Sequence, residues 1–173
     1  MGTHLFCLKI EPMTLLSTSL LERANEVGIR LEMINGIPIW EASPAVLHQR
    51  ESYRIQQTIK QLGECGCFHV ADVYVKFSDD SIKRPDISIF CREPDELDEA
   101  VTLLPEAVIE IISKGYEKKD KELAPKFYID NGVKDILVFD PRSLEIWHHT
   151  ANGTREFTSP TAFILECGCG VEI

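Results

Sequence analysis

Two apolar segments joined by a helical one constrain this chain more than any other feature. Residues 107–112 (Ala-Val-Ile-Glu-Ile-Ile) and 135–140 (Asp-Ile-Leu-Val-Phe-Asp) have the length and apolar character of buried strands. Between them, residues 120–131 are typical of a helix that Gly132 ends. A strand, a crossover helix and a second strand form a parallel pair, so the sequence predicts an α/β fold with a mixed central sheet flanked by helices.

The residues before this unit predict a helix followed by a β-hairpin. Ser19 and Glu22 have the spacing of a capping box, which starts a helix that we expect to end near Val27. Asn35-Gly36 is the dipeptide best suited to a type I′ turn, and apolar residues alternate on both sides of it up to Trp40. We therefore expect an N-terminal helix and a two-stranded hairpin.

A second helix is predicted from Pro44 onwards, with Ile55 and Ile59 on its apolar face. Extending this face backwards reaches His48 and Glu51, so both polar side chains are predicted to point toward the interior or a cleft beside it. The plainer alternative is a hydrogen-bonded histidine and a glutamate whose carboxylate reaches solvent near the start of the helix.

Further strands complete the predicted order within one domain. Strands are expected at residues 73–77, 86–90, 145–149 and 162–165, with one or two helical turns at residues 94–101. A length of 173 residues fits a single domain. Residues 1–43 would form its N-terminal helix and hairpin, and residues 44–173 its core.

The charge balance restricts the partners of this chain. Its formal net charge is −10, which argues against coating of nucleic acid by bulk electrostatics. Residues 114–126 are a local exception with a net charge of +2, for which a solvated helix face is the plainer explanation. No apolar run approaches the ~18 residues of a membrane span, and residues 1–11 lack the order of a signal peptide. A cytoplasmic location without membrane contact is therefore expected.

The six cysteines include a tetrapeptide, Glu-Cys-Gly-Cys, that occurs at residues 64–67 and again at residues 166–169. Four such sulfur atoms suggest zinc, but structural zinc sites favour two to four residues between paired ligands and here there is one. In a reducing cytoplasm the thiols are expected to stay reduced. We therefore predict two turns that merely look alike, with no tightly bound zinc and no essential disulfide.

Glu110 is the residue that most strongly indicates a function. It interrupts an apolar strand, where an ionised carboxylate is costly unless it is paired, protonated or bound to a metal. Asp86, at the head of another predicted strand, is its natural companion. Two carboxylates on neighbouring strands suit Mg²⁺, which binds a few carboxylate oxygens and keeps several waters. A metal site is therefore predicted at a sheet edge, although acidic residues are also common at strand ends.

Several short motifs occur in one order between Leu31 and Trp147. They are Leu31-Glu32-Met33-Ile34-Asn35-Gly36, His48-Gln49, Arg84-Pro85-Asp86, residues 105–113, Tyr128 with Gly132-Val133, and Val138-Phe139-Asp140-Pro141. Together they resemble the Uma-two family of restriction-endonuclease-like proteins, within the PD-(D/E)XK nuclease superfamily. The resemblance implies a nuclease-type sheet flanked by helices, with Asp86 and Glu110 as metal ligands. It also implies that Glu32 and His48 are accessory polar residues.

The chain departs from that family at the catalytic lysine. The commonest superfamily pattern has a lysine two residues after the glutamate, where this chain has Ile112. Uma-two-like sequences carry it four residues before the tyrosine, where this chain has Ala124. Lys121 lies three residues before Ala124 on nearly the same helix face, so it is the candidate for the missing cation, followed by Lys126. Pro125 is expected to kink this helix.

Two functions fit these observations. We favour a Mg²⁺-dependent (or Mn²⁺-dependent) endonuclease that hydrolyses DNA, with Asp86 and Glu110 on the metal and Lys121 positioning water or stabilising charge. The alternative is a catalytically degenerate nuclease fold that binds nucleic acid or a protein partner. A purely structural protein with a protonated Glu110 is the third reading. The sequence leaves open whether the chain forms a homodimer.

Overall fold

The computed structural model describes residues 13–41, 45–115 and 119–173 of the chain. The predicted helix start at Pro44 and Lys118 of the basic segment lie outside these ranges. The helices are α1 Met13–Glu26, α2 Val46–Gln56 and α3 Ala124–Asp130, with a π-helical segment Lys119–Leu123 directly before α3. The strands are β1 Leu31–Ile34, β2 Ile37–Trp40, β3 Lys60–Gln61, β4 Phe68–Ala71, β5 Val75–Lys76, β6 Ile82–Lys83, β7 Ile87–Phe90, β8 Ala107–Ile111, β9 Asp135–Asp140, β10 Glu145–Thr150, β11 Gly153–Thr158, β12 Ala162–Ile164 and β13 Cys169–Glu172.

The central sheet has six strands in the order β11-β10-β9-β8-β7-β4. Strands β8 and β9 run parallel, with Glu110 beside Val138, and the π-helical segment and α3 lie between them in the chain. The other neighbours in this sheet pair antiparallel. The predicted mixed sheet and the parallel pair are therefore confirmed.

Each face of the central sheet packs against a different helix. Ile109 and Ile111 of β8 lie in one apolar cluster with Ile55 of α2. Val108 of β8 lies in a second cluster with Tyr128 of α3. Because successive side chains of a strand point to opposite faces, the near-continuous apolar run of β8 serves both clusters. The sheet is thus flanked by helices, as the sequence predicts.

The N-terminal hairpin follows the prediction, but the first helix begins earlier than predicted. Asn35 and Gly36 both have positive φ angles, 50° and 76°, as a type I′ turn requires. Helix α1 already includes Ser19, so the proposed capping box lies inside the helix and is wrong as a start signal. Gly28, at φ 74°, ends this helix as expected, and its N–H donates to Asn25 O at 3.0 Å. Strands β1 and β2 continue into a small sheet with β6 and β5.

Two predicted helical segments differ in the structure. Residues 94–101 contain no helix; instead Val101 N–H donates to Tyr74 O at 2.8 Å, and Val101 O accepts from Lys76 N–H at 2.8 Å. Helix α2 ends at Gln56, because the Thr58 hydroxyl donates to Ile55 O at 2.7 Å and the chain then enters β3.

The crossover helix is also divided differently from its prediction. The π-helical segment precedes α3, and Pro125 lies in the first turn of α3, where its missing N–H costs no internal hydrogen bond. The sequence missed five strands, β3, β4, β6, β11 and β13, although Asn152-Gly153 lies where β10 turns into β11. Among the described residues, no helix is long and apolar enough to cross a bilayer.

Candidate metal and nuclease site

Asp86 and Glu110 occupy facing positions on the neighbouring strands β7 and β8. The antiparallel register pairs Ile87 with Ile109. One further step along this ladder places Asp86 opposite Glu110, and residues directly opposite each other project to the same side of a sheet. The structure therefore brings together the two carboxylates that the sequence singles out. Asp86 lies directly before β7 and Glu110 lies within β8. Both are internal strands, so the pair does not lie on an edge strand of the sheet.

The Asp86 carboxylate is held by a backbone amide and by a histidine. Ile111 N–H donates to Asp86 Oδ2 at 2.6 Å. His48 Nε2, on α2, lies 3.0 Å from Asp86 Oδ1. The side chains of His48 and Asp86 are only 11% and 19% exposed, so the histidine points inward as predicted. These contacts come from β8 and α2, and they fix the orientation of a carboxylate that stays partly open to solvent.

The Glu110 carboxylate is held by Tyr128 of α3. The Tyr128 hydroxyl donates to Glu110 Oε1 at 2.5 Å, and Glu110 is 8% exposed. Burial, together with the negative charges of Glu110, Glu32 and Asp86, raises the pKa of Tyr128 well above its ordinary value. The phenol therefore remains protonated and donates at neutral pH. Three carboxylates thus lie within electrostatic reach of one hydroxyl.

A buried lysine, Lys83, accompanies these carboxylates. Its side chain is 1% exposed, and its Nζ lies 3.6 Å from Oε1 of Glu32, which is equally buried. The same Nζ lies 4.7 Å from the ring centroid of Tyr128, a cation–π distance. Glu32 Oε1 also accepts from Arg84 N–H at 3.2 Å. Sequence reasoning missed Lys83; the available signal was a lysine three residues before Asp86, next to the apolar Ile82.

The structure does not bring Lys121 to the carboxylates. Its Nζ lies 3.8 Å from the ring centroid of Trp147 and 4.0 Å from Glu145 Oε2, both on β10. Strand β10 is separated from β8 by β9, so these contacts lie two strands away from Glu110. Lys126 pairs with Asp130 at 2.6 Å on the surface of α3. The shared helix face that favoured Lys121 fails because residues 119–123 are π-helical, which changes the direction of each side chain.

The two positions at which the family resemblance implies a lysine are closed by packing. Ile112 is 1% exposed and Ala124 is 3% exposed, and both belong to the apolar cluster beneath α3. The Glu51 carboxylate is bonded by two arginines of its own helix. Arg50 and Arg54 donate to its two oxygens at 3.1 and 2.7 Å. Although burial opposes the shift, the hydrogen bonds from Arg54 and Arg50 lower the pKa of Glu51. We therefore regard Glu51 as part of a structural ion pair.

A cleft adjoins His48, the histidine that contacts Asp86, although neither Asp86 nor Glu110 lines it. It has a volume of about 100 Å³ and is lined in part by His48, Ser113, Lys114 and Arg142. Arg142 is held near the end of β8, because its Nη1 lies 3.4 Å from Ile112 O. The cleft thus joins the histidine that contacts Asp86 to two cationic side chains, which is a suitable arrangement for an anionic ligand.

Five cysteines gather elsewhere in the structure, and this corrects the prediction from their spacing. Disulfides join Cys65 to Cys91 and Cys67 to Cys169, and Cys167 remains a free thiol. The two Glu-Cys-Gly-Cys segments therefore meet. The sequence predicted that the thiols stay reduced, whereas four of the described cysteines form disulfides. Spacing along the chain could not reveal this, because the pairs are separated by 26 and 102 residues. We call these five residues the cysteine cluster.

The comparisons with known proteins agree with this geometry. A family model, Uma2, described as "putative restriction endonuclease", matches residues 18–166. A solved structure described as a "putative nuclease belonging to DUF820", from Anabaena variabilis, is similar in fold with a TM-score of 0.56 and 19% sequence identity. The alignment covers 76% of this chain and 78% of that one. No curated protein matches the chain. The chain therefore belongs to the Uma2 family and has the mixed α/β fold of a nuclease-like protein.

Proposed function

We propose that this protein is a metal-dependent endonuclease that hydrolyses phosphodiester bonds of DNA. The observation that carries the proposal is the placement of Asp86 and Glu110 at facing positions of β7 and β8 in a member of the Uma2 family. Asp86 is held by a histidine and a backbone amide, and Glu110 accepts a hydrogen bond from a tyrosine.

The donor set fits Mg²⁺ or Mn²⁺. These cations prefer oxygen ligands, and Mg²⁺ typically takes one or two protein carboxylates and keeps several waters. Asp86 and Glu110 would hold the ion, while the third carboxylate, Glu32, is engaged by Lys83. When bound, such an ion neutralises charge on the phosphate and makes water a better nucleophile.

The surrounding side chains would preorganise the two carboxylates. His48 and Ile111 N–H fix Asp86 from two directions, and the protonated Tyr128 fixes one oxygen of Glu110. Because each holding group comes from a different element, the carboxylates need little reorganisation when a ligand arrives. Lys114 and Arg142 in the adjacent cleft would bind phosphate oxygens of the substrate.

Among the lysines whose side chains the structure describes, Lys83 is the one that we propose as the cation of this site. Its ammonium lies over the ring of Tyr128, whose hydroxyl bonds Glu110, whereas the contacts of Lys121 lie two strands away. In a low-dielectric surrounding a fixed positive charge at this place stabilises the ionised form of the acidic network. Lys83 would therefore act as a positioning residue for the carboxylates. Lys121, the candidate from sequence, becomes the comparison variant.

The decisive experiment compares cleavage by wild type with two carboxylate variants. Supercoiled, linear and single-stranded DNA are incubated with Mg²⁺ and with Mn²⁺. Asp86→Asn and Glu110→Gln should each reduce cleavage by at least ~100-fold, the scale of losing one preorganised group that stabilises charge. Calorimetric titration of wild type with Mn²⁺ should show binding that Glu110→Gln weakens. Glu156→Gln, which removes an equal charge from the exposed strand β11, is the matched control and should cleave like wild type.

A degenerate binding module is the second candidate. It is favoured by the apolar packing at Ile112 and Ala124, where relatives carry a lysine. If wild type shows no cleavage above Glu110→Gln on any DNA, yet retards DNA in a gel, this second function replaces the first. A DNA partner and a cytoplasmic location remain predictions from the sequence.

A further inference from the structure

The cysteine cluster lies at the opposite end of β7 from Asp86. Cys91 directly follows the last residue of β7, Phe90. Cys65 and Cys67 precede β4, and Cys169 begins β13. Three separate loops or strand ends therefore deliver sulfur atoms to one place. The nuclease proposal assigns no role to any of them.

The sulfur atoms lie at distances that suit a metal ion. The Sγ atoms of Cys65, Cys167 and Cys169 are all within 4.8 Å of one another. Those of Cys65 and Cys169 are 3.5 Å apart. Zinc–thiolate bonds of ~2.3 Å in a tetrahedron put neighbouring sulfur atoms about 3.8 Å apart. In the described part of the chain, this is the one group of three histidine, cysteine or acidic side chains so arranged.

The glycine of each Cys-Gly-Cys segment is required by this arrangement. A Cβ on Gly66 would lie 2.7 Å from Cys91 O, so only glycine lets the first segment approach the end of β7. Gly168 has a φ of 86°, and a Cβ there would lie 3.2 Å from Gly63 Cα. The repeated tetrapeptide is therefore explained by two close approaches to the same cluster, and not by two unrelated turns.

Acidic side chains lie close to the cluster. Glu106 and Asp135 are within electrostatic reach of Cys167. The same acidic charges attract a dication, and a bound metal deprotonates its thiol ligands. Asp135 also fixes the second segment directly, since its Oδ2 accepts from Glu166 N–H at 2.8 Å.

We propose that the reduced cluster binds one Zn²⁺ ion through the neighbouring Cys65, Cys167 and Cys169 and through Cys67, whose Sγ is joined to that of Cys169 in this structure. Each Cys-Gly-Cys segment then contributes two thiolates. Cys65, Cys67 and Cys169 are buried and Cys167 is half-buried, as expected of a shielded structural site. Cys91 is exposed, and we assign it only the disulfide with Cys65 in the oxidised form. The site is independent of the proposed nuclease function.

The disulfides in this structure are the oxidised form of the same cluster. A newly synthesised chain carries thiols, so zinc binding needs no reductant at that stage. To return from the oxidised form, each disulfide takes two electrons and two protons from an external dithiol, which itself becomes a disulfide. Zinc then replaces the protons of its four thiol ligands. Zinc and disulfides are thus alternative states of these residues, and zinc binding protects the thiols from oxidation.

Metal analysis of the full chain tests the proposal. The untagged protein is purified with a phosphine reductant, supplied with Zn²⁺ and dialysed. We expect about one zinc per chain by mass spectrometry, as for a four-thiolate structural site. Replacement of zinc by Co²⁺ should give the strong visible absorption of tetrahedral cobalt–thiolate. The cobalt titration uses wild type, so it does not depend on any variant folding.

Single serine variants then test the ligand set. Cys65→Ser, Cys67→Ser, Cys167→Ser and Cys169→Ser should each lower the zinc content to less than about a tenth of wild type after dialysis. Cys91→Ser is the matched control and should keep its zinc. Reduced wild type that binds neither zinc nor cobalt would overturn the site. Loss of zinc from Cys91→Ser as complete as from Cys67→Ser would overturn the assignment of the ligands.

Discussion

Strand β7 has a group of candidate functional side chains at each end, and the two ends are built in different ways. Before its first residue lies Asp86, held by His48 and by Ile111 N–H. After its last residue lies Cys91, joined to Cys65. The carboxylate end consists of charged and polar groups, of which Asp86 stays partly open to solvent while Glu110 is buried. The cysteine end consists of sulfur atoms that, apart from Cys91, are buried or half-buried.

The difference shows how far a site depends on sheet register. At the carboxylate end, Asp86 and Glu110 face each other because β7 and β8 are adjacent and their apolar pattern fixes the ladder. At the cysteine end, the partners come from loops and from β13, up to 102 residues apart. We therefore expect substitutions at one end to leave the chemistry of the other end intact. The following predictions test that independence, from the largest expected change in free energy to the smallest.

Lys83→Met should have the largest effect. It leaves the buried Glu32 without its ion-pair partner, which costs about 3–5 kcal/mol of folding free energy for such pairs. We also expect DNA cleavage to fall by ~100-fold, because the carboxylates lose a fixed neighbouring charge. Denaturant titration and cleavage rates measure the two effects. Zinc content at the cysteine end should not change in the fraction of protein that is folded.

Two further variants separate stability from cleavage. The double variant Glu32→Gln/Lys83→Met removes both charges, so it should regain most of the lost stability while its cleavage stays low. Lys121→Ala removes a lysine that is 33% exposed and lies over Trp147. It should change cleavage by less than about threefold, since surface charges contribute little. A ~100-fold loss in Lys121→Ala, with normal cleavage by the double variant, would restore Lys121 as the catalytic lysine.

Asp135→Asn should weaken the cysteine end selectively. The buried Asp135 carboxylate contacts His148 Nε2 at 2.7 Å and accepts from Glu166 N–H at 2.8 Å. Asparagine replaces one of the two carboxylate oxygens by an NH₂ donor, so only one of these contacts keeps its acceptor, at a cost of about 2–3 kcal/mol. Urea titration measures the loss. Mn²⁺ affinity of the folded variant should equal that of wild type; a fall in that affinity would show that the two ends are coupled.

Tyr128→Phe should lower stability by about 1–2 kcal/mol at neutral pH, because Glu110 loses its hydrogen-bond donor. The pH dependence provides an independent check. Since burial and nearby carboxylates raise the pKa of Tyr128, the unfolded chain ionises first as the pH rises through about 10. The stabilisation that the raised pKa of Tyr128 provides is complete below pH ~10 and is lost as the pH rises above that value. The variant should therefore lose less stability than wild type between neutral pH and pH ~11, measured by denaturant titration.

His149→Gln should have the smallest effect. Burial, with a contribution from His148, lowers the pKa of His149 below its usual 6.5. The unfolded chain therefore takes up a proton first as the pH falls, and stability is lost below pH ~6.5. The histidine is only half-buried, so solvent screening limits this loss of folding free energy to roughly a few tenths of a kcal/mol. Denaturant titrations of wild type and variant below pH ~6.5 measure the difference. DNA cleavage and zinc content should not change.

The fold and half of the candidate site were determined by local patterns in the sequence. The apolar runs of β8 and β9, the Asn35-Gly36 turn and Gly28 each act over a few residues, so they can be read without tertiary contacts. Asp86 and Glu110 could be singled out because a carboxylate in or beside a buried strand is costly whatever surrounds it. The inward orientation of His48 likewise followed from helical spacing.

Only the tertiary structure decided which groups accompany the carboxylates and where the cysteines lie. Lys83 reaches Glu32 and Tyr128 because β6 joins β1 in a second sheet, a pairing that no local pattern specifies. Lys121 turns to Trp147 because a π-helical segment replaces the regular helix that its spacing implied. The two Cys-Gly-Cys segments meet because β13 pairs with β3. Such contacts depend on how distant segments pack, and separation along the chain carries no information about the distance between them in the folded protein.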